Sequence, residues 1–319
     1  MKSRLWLLYA IVTTTFWGVW GAFIEIPERA GFPATLGYSV WALTMIPPAL
    51  VALRLVGWRL DRDRKAIVLG SLAGLLGAGG QLVLFQALTV GPAYIVFPLI
   101  SLSPLVTILM SVVLLREKAS ARGWIGIVLA VGAVPLLSYQ PPDNGVVEGY
   151  LWLVLALGVF LAWGIQAYVI KFANRTMSAE SVFFYMMATA VVLIPWAIGI
   201  TDFSQEINWG WSGPGLAAGI QILNSIGALC LVFAFRYGKA IIVSPMTNAL
   251  APVLTVLISL SIYAVIPGTV TIVGMVLAIA AAFLMALEEE TESAIPVPAV
   301  GETPLSGAGD DREVLHAHS

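Results

Sequence analysis

Trp17-Gly18-Val19-Trp20-Gly21-Ala22-Phe23-Ile24-Glu25 returns later in the chain as Trp163-Gly164-Ile165-Gln166-Ala167-Tyr168-Val169-Ile170-Lys171. Most positions keep their character. The last one changes sign, from Glu25 to Lys171. That swap places the two halves upside down relative to each other in a membrane, because each helix end carries the charge its own side prefers. Two further echoes follow. Leu102-Ser103-Pro104-Leu105-Val106-Thr107 with Ser111 matches Leu250-Ala251-Pro252-Val253-Leu254-Thr255 with Ser259, and Gly126-Ile127-Val128-Leu129-Ala130 matches Gly274-Met275-Val276-Leu277-Ala278. The offsets stay between 146 and 148 residues. A long repeat at constant spacing marks a duplicated unit.

Composition agrees with a membrane setting. Of 319 residues, 59% are hydrophobic and 11% charged. A soluble domain carries about 25% charged residues, so this chain is too poor in charge for a watery surface and suits a lipid-facing one. Cys230 is the only cysteine, which excludes an intrachain disulfide. From Glu288 onward, eight acids against Arg312 give a tail of −7; the net charge of −2 then leaves +5 for the rest. The bases are scattered between apolar runs and not clustered on one face, which speaks against nucleic acid as a partner.

A spanning helix needs about 20 mostly apolar residues. Cutting at charges and turn residues gives ten such segments: 4–24, 34–56, 66–88, 93–115, 122–140, 149–170, 179–200, 214–235, 240–262 and 267–287. Lys2 and Arg4 ahead of the first run imitate a signal peptide, but Trp17 and Trp20 stand where small residues are wanted, so the first segment reads as a retained helix. Alternating the connections puts 15 of the 16 bases on one side, with Arg29 alone opposite. That side is read as cytoplasmic and holds both termini. The other side carries Glu25, Glu28, Asp143, Glu148, Asp202 and Glu206, with Trp152, Trp209 and Trp211 near its boundary. Five helices is an odd number, so a second copy re-enters the membrane inverted.

The expectation is an all-α membrane protein of the cell (inner) membrane, with ten transmembrane helices as two inverted five-helix repeats, 1–140 and 149–287. Residues 288–319 read as a disordered acidic cytoplasmic tail.

Interrupted helices at matching places in two inverted halves point to a binding site. Pro104 and Pro252 occupy such places, with Ser101, Ser103, Thr247 and Asn248 close by. Gln81, Gln86, Gln166, Tyr168, Asn224, Ser225 and Asn248 fall at mid-depth, where amides and hydroxyls face the bundle interior or a wet cavity, or else bond neighbouring helices. Trp17 and Trp20 share one helical face and are read as cavity lining, with core filling as the alternative. Thr13-Thr14-Thr15 is read as bonding its own backbone, and Gly74, Gly77, Gly79 and Gly80 as permitting close helix approach. The enzyme reading finds no support. His316 and His318 lie in the tail, Cys230 has no histidine partner, and neither a phosphate loop nor a metal-ligand cluster appears. No cofactor is expected.

These motifs, in this order and doubled, resemble the drug/metabolite transporter superfamily. The fourth helix, its Leu114-Leu115-Arg116-Glu117-Lys118 ending and the Gly-x-x-Leu-Ala that follows resemble the EamA-type branch. The likeness covers residues 1–287. It implies a carrier of small metabolites such as amino acids, sugars or nucleotide-related compounds, with a central cavity between helices one, three, four, six, eight and nine. Carried over, Trp17, Trp20, Gln81, Ser103, Pro104, Gln166, Asn224, Asn248 and Pro252 fall on those helices. Glu117 matches the family's acid after helix four and reads as an interfacial structural residue; the second half has no acid at the corresponding place.

The functional expectation is a secondary-active transporter, an exporter of small metabolites such as amino acids, working by alternating access. Its partners are a small-molecule substrate, the lipid bilayer and an unspecified coupling ion. The alternatives are a non-transporting membrane receptor or assembly factor, and a passive facilitator or channel for solutes such as sugars or nucleosides.

Overall fold

The computed structural model describes residues 4–91, 93–139, 149–263 and 267–287. Lys2, Pro92, the acids Asp143 and Glu148, the stretch 264–266 and the whole 288–319 tail, with Arg312, His316 and His318, lie outside the described residues.

Those residues are helical throughout, with no strand among them. In chain order the helical stretches are α1 (Leu5–Phe23, followed by the short Glu25–Arg29), α2 (Ala34–Leu55), α3 (Arg64–Val90), α4 (Ala93–Ser101 and Pro104–Leu114) and α5 (Ala121–Leu137). Then come α6 (Leu151–Ala173), α7 (Ala179–Gly199), α8 (Trp211–Tyr237), α9 (Ala240–Tyr263) and α10 (Thr269–Ala286). Eight are long and apolar enough to cross a membrane. The apolar helices Leu99–Leu114 and Ala121–Leu137 fall short of that length. The α4 helix breaks at Leu102-Ser103 ahead of Pro104, and α5 stops just after Pro135.

Side-chain caps start three helices. Asp63 accepts from Ala66 N–H, Ser120 from Gly123 N–H and Ser178 from Ser181 N–H, which satisfies donors that a helix start leaves free. Leu109, Val113, Val128, Val154, Val276 and Phe283 are all exposed. So wide an outward apolar band suits hydrocarbon, not water.

Proline placement repeats in part. The α2 helix breaks at Met45 ahead of Pro47-Pro48, and α7 breaks at Leu193 ahead of Pro195, 148 residues after Pro47. A proline has no N–H to continue the ladder and its ring crowds the preceding turn. The expected matching interruptions of α4 and α9 are found only in α4. The α9 helix runs unbroken through Pro245 and Pro252, with Pro252 offering no N–H to the Asn248 carbonyl four residues earlier.

The packing is reciprocal. The α1 helix packs on α8 and α9, while α6 packs on α3 and α4; α2 packs on α7, and α5 on α10. A methyl added at Gly18 would meet Leu254 Cβ and Ala251 O; one at Gly164 would meet Val106 Cβ and Ser103 O. Small residues let helices approach this closely where lipid gives no hydrophobic drive between them. The Trp17 ring lies on Gly227 and donates from Nε1 to Asn224 O at 3.3 Å; the Trp163 ring lies on Gly80 and donates to Gly77 O at 3.3 Å. Thr255 Oγ1 donates to Gly18 O at 3.0 Å, and Thr107 Oγ1 to Gly164 O at 2.9 Å.

The connecting segments follow the same rule. Asp61, between α2 and α3, accepts from the Ser178 N–H and hydroxyl ahead of α7. Asn208, between α7 and α8, donates to Ala30 O and Gly31 O ahead of α2.

Two sequence expectations change. Of the threonine triplet, only Thr15 bonds its own helix, at Ile11 O. Thr13 reaches across to Gly227 O at 3.1 Å, and Thr14 Oγ1 is buried without a partner among the described residues. Gln86, expected inside, lies on the exposed face of α3. Ser225 is fully buried and bonds Thr44 on α2 at 3.0 Å, as helix-to-helix glue.

Candidate functional site

A cavity of about 430 Å³ opens between α1, α4, α5 and α9. Trp17, Trp20 and Gly21 on α1 form one wall. Thr247, Asn248, Ala251, Pro252, Thr255 and Val256 on α9 form another. Phe97 near the start of α4 and Leu137-Ser138-Tyr139 at the end of α5 complete it. The lining mixes aromatic rings with hydroxyls and one amide, and no charged side chain belongs to it. Such a surface brings no uncompensated charge of its own into the cavity.

The wall is held from behind. Trp20 Nε1 donates to Gln221 Oε1 at 3.0 Å, and Gln221 Nε2 in turn donates to Gly37 O at 3.4 Å. Trp17 is fixed by Asn224 O and by the flat surface Gly227 offers. Asn248 Nδ2 donates to Ser244 O at 2.9 Å, which orients its side chain along α9. Because Pro252 cannot donate to the Asn248 carbonyl, that carbonyl remains available one turn away.

Trp17, Trp20, Asn248 and Pro252 thus come together on the cavity wall. The other sequence candidates do not line it. Gln81 is half-buried in α3. Asn224 serves through its backbone carbonyl. Gln166 lies over Gly77 and is the counterpart of Trp20 at an offset of 146. Ser103 and Pro104 are buried at the α4 break. Sequence reasoning left out Phe97, Tyr139, Thr247 and Thr255. Thr255 stood in the repeated motif and Thr247 beside Asn248; Phe97 and Tyr139 carried no signal.

The cavity has a closed counterpart. Adding or subtracting the repeat offset to Ala251, Pro252, Thr255 and Val256 gives Ser103, Pro104, Thr107 and Ile108 on α4. All of these are buried. Ser111, the counterpart of Ser259, is buried too. At this end Glu117, in the link between α4 and α5, is 7% exposed at its side chain. Its carboxylate lies 3.8 Å from Lys171 Nζ and accepts from Ile241 N–H at 3.1 Å, while Lys171 donates to Gly238 O at 2.5 Å. Burial pushes the Glu117 carboxyl above its ordinary range, against the opposing pull of Lys171, the Ile241 and Ala240 N–H groups and Arg175. Glu117 is therefore a paired group, its side chain largely buried, in the link between α4 and α5.

The model of the EamA-like transporter family matches residues 4–139 and again 150–287. Similar proteins include Protein LicB of Haemophilus influenzae, 24% identical over 212 residues, 63% of this chain and 70% of LicB. Protein RarD of Streptomyces exfoliatus is 25% identical over 257 residues, 77% of this chain and 75% of RarD. One solved crystal structure superposes with a TM-score of 0.72 at 18% identity, covering 90% of this chain and 99% of its own; at that identity the likeness is one of fold.

Proposed function

The chain belongs to the EamA-like transporter family, within the drug/metabolite transporters, and from that premise we propose that it is a secondary-active carrier of small neutral or zwitterionic metabolites such as amino acids, exporting them by alternating access. In this reading ten helices cross the cell membrane as two inverted repeats, 1–140 and 149–287, with both termini cytoplasmic. The segment 288–319 is a cytoplasmic tail. The observation that carries the reading is the open cavity on α1 and α9 set against the buried counterpart of its α9 wall on α4. A carrier of this type exposes equivalent faces in turn as its halves rock about a midplane site. The uncharged lining supports a neutral or zwitterionic solute. Trp17 and Trp20 would stack on it, and Asn248 with its freed carbonyl would bond it.

Reconstitution in proteoliposomes tests this. The expected result is saturable flux of an amino acid, with counterflow. Trp20→Ala and Asn248→Ala each lower it about tenfold, the equivalent of about 1.4 kcal/mol, while the protein stays folded by size exclusion. Unchanged flux in both variants removes the site. Solute binding without flux removes the carrier and leaves a receptor, and flux that never saturates leaves a channel.

A further inference from the structure

The helix packing is duplicated, but among the described residues the contacts that close the two ends are not. Resting on the carrier reading, we propose that Glu117 and Lys171 form the gate holding the inner side shut, with Thr107, Ser111 and Ser244 behind it lining the inner half of the solute path.

The pair sits where a gate must. Glu117 follows α4, Lys171 ends α6, Gly238 joins α8 to α9, and Ile241 lies in the first turn of α9. One buried pair thus ties together α4, α6 and α9, the helices that carry the closed face and the wall opposite it. The backbone is bent to deliver it. Arg116 takes the left-handed conformation at φ 55°, uncommon for a residue with a side chain. The turn lets Glu117 N–H donate to Ser111 O at 3.1 Å and aims the carboxylate at α9. Such strain persists only where the surroundings enforce it, and it gathers at switch regions.

Behind the pair runs a polar stripe that packing alone does not require. Asn248, on the cavity wall, donates to Ser244 O. Ser244 Oγ approaches Thr107 Oγ1 at 3.5 Å. One turn further along α4, Ser111 is fully buried and its Oγ has no partner among the described residues. A dry, unpaired hydroxyl is costly. A group that becomes wet in a second state of the carrier explains it. Among the described residues the other end shows no such tie: Glu25, the counterpart of Lys171, is exposed and bonds Arg29 within its own short helix at 2.6 Å.

The charges facing Glu117 are Lys171 of α6 and Arg175 just after it; Arg116 and Lys118 flank it in sequence, and Lys239 precedes α9. Removing one member of a buried pair strands the other without compensation, whereas replacing both is close to neutral. A stranded lysine or carboxylate reaches water by opening the inner end.

The test uses the full chain with Cys230→Ser and Ser111→Cys, in right-side-out and inside-out vesicles, labelled with a membrane-impermeant maleimide. The parent stays protected from both sides. E117Q and K171M each label at least about tenfold faster from the inner side, and E117Q/K171M returns toward the parent rate. Acidification slows labelling in K171M, where a protonated Glu117 tolerates burial, more than in E117Q, in which only the shared loss of thiolate slows it. Protection unchanged in both single variants, label arriving from the outer side, or a double variant as reactive as the singles overturns the gate. If E117Q does not fold, K171M and its acid response carry the same comparison. Flux is read separately. Gated labelling without flux keeps the gate and removes the carrier; flux in K171M with Ser111→Cys still protected does the reverse.

Discussion

Pro252, Thr255 and Ser259 on α9 and Pro104, Thr107 and Ser111 on α4 are the same residue types 148 positions apart. Thr255 lines an open cavity, while Thr107 and Ser111 have 0% of their surface exposed. Local chemistry does not separate them, since each threonine donates its hydroxyl to a glycine carbonyl on the first helix of the other half. The difference lies at the ends. Glu117 and Lys171 draw the α4 face shut, and the described residues around Glu25 make no equivalent tie. A duplicated sequence can therefore hold its halves unequally, with the inequality stored in the links and the equality in the packing.

The largest expected effect concerns the shared packing. Gly18→Ala and Gly164→Ala each crowd the facing helix, and overpacking costs about 1–3 kcal/mol. Both lower the thermal midpoint by similar amounts. Gly158→Ala, with nothing within 4 Å of its added methyl, leaves the midpoint in place. A wide gap between Gly18 and Gly164 would break the equivalence of the halves.

A smaller effect sharpens the contrast between ends. The Glu117 carboxyl is raised while buried, so it holds its proton more tightly when the inner end is closed than when water reaches it. In K171M, where no partner is left to be stranded, linkage then favours the closed inner end as pH falls from the raised value toward the ordinary carboxylate range, about 4.3. Inner labelling of Thr107→Cys in K171M, measured relative to Thr255→Cys, falls through that window, and the same ratio is flat in E117Q. The opposite slope in K171M would mean that Glu117 is not the group that opens that end.

The smallest effect is at the outer end. Arg29→Ala removes an exposed pair, and exposed pairs contribute little. Flux and thermal midpoint stay unchanged; a clear loss would give the outer end a lock as well.

Much of the fold was legible because the repeat preserved its contact residues. Trp17/Trp163, Gly18/Gly164 and Thr107/Thr255 stood at a constant offset before any contact was known. The Pro47/Pro195 kinks and the Asp61/Asn208 staples obey the same spacing, but sit outside the longer matching runs. Spanning length was overstated for α4, since hydropathy cannot register a helix that stops and restarts at Leu102-Ser103. The candidate site was legible as two equivalent faces. Which of them is open was not, because Pro104 and Pro252 look alike in sequence and only tertiary closure separates them. The partners of Glu117 were not legible, because Lys171 and the start of α9 come from distant segments.

The central claim is that the two faces open in alternation. The direct measurement is sided maleimide labelling of Thr107→Cys and Thr255→Cys on the Cys230→Ser background, with and without E117Q. The account predicts Thr255→Cys reactive from outside and Thr107→Cys protected, with both trends reversing together in E117Q. Thr107→Cys gaining reactivity while Thr255→Cys loses none would contradict it, since both faces would then be open at once.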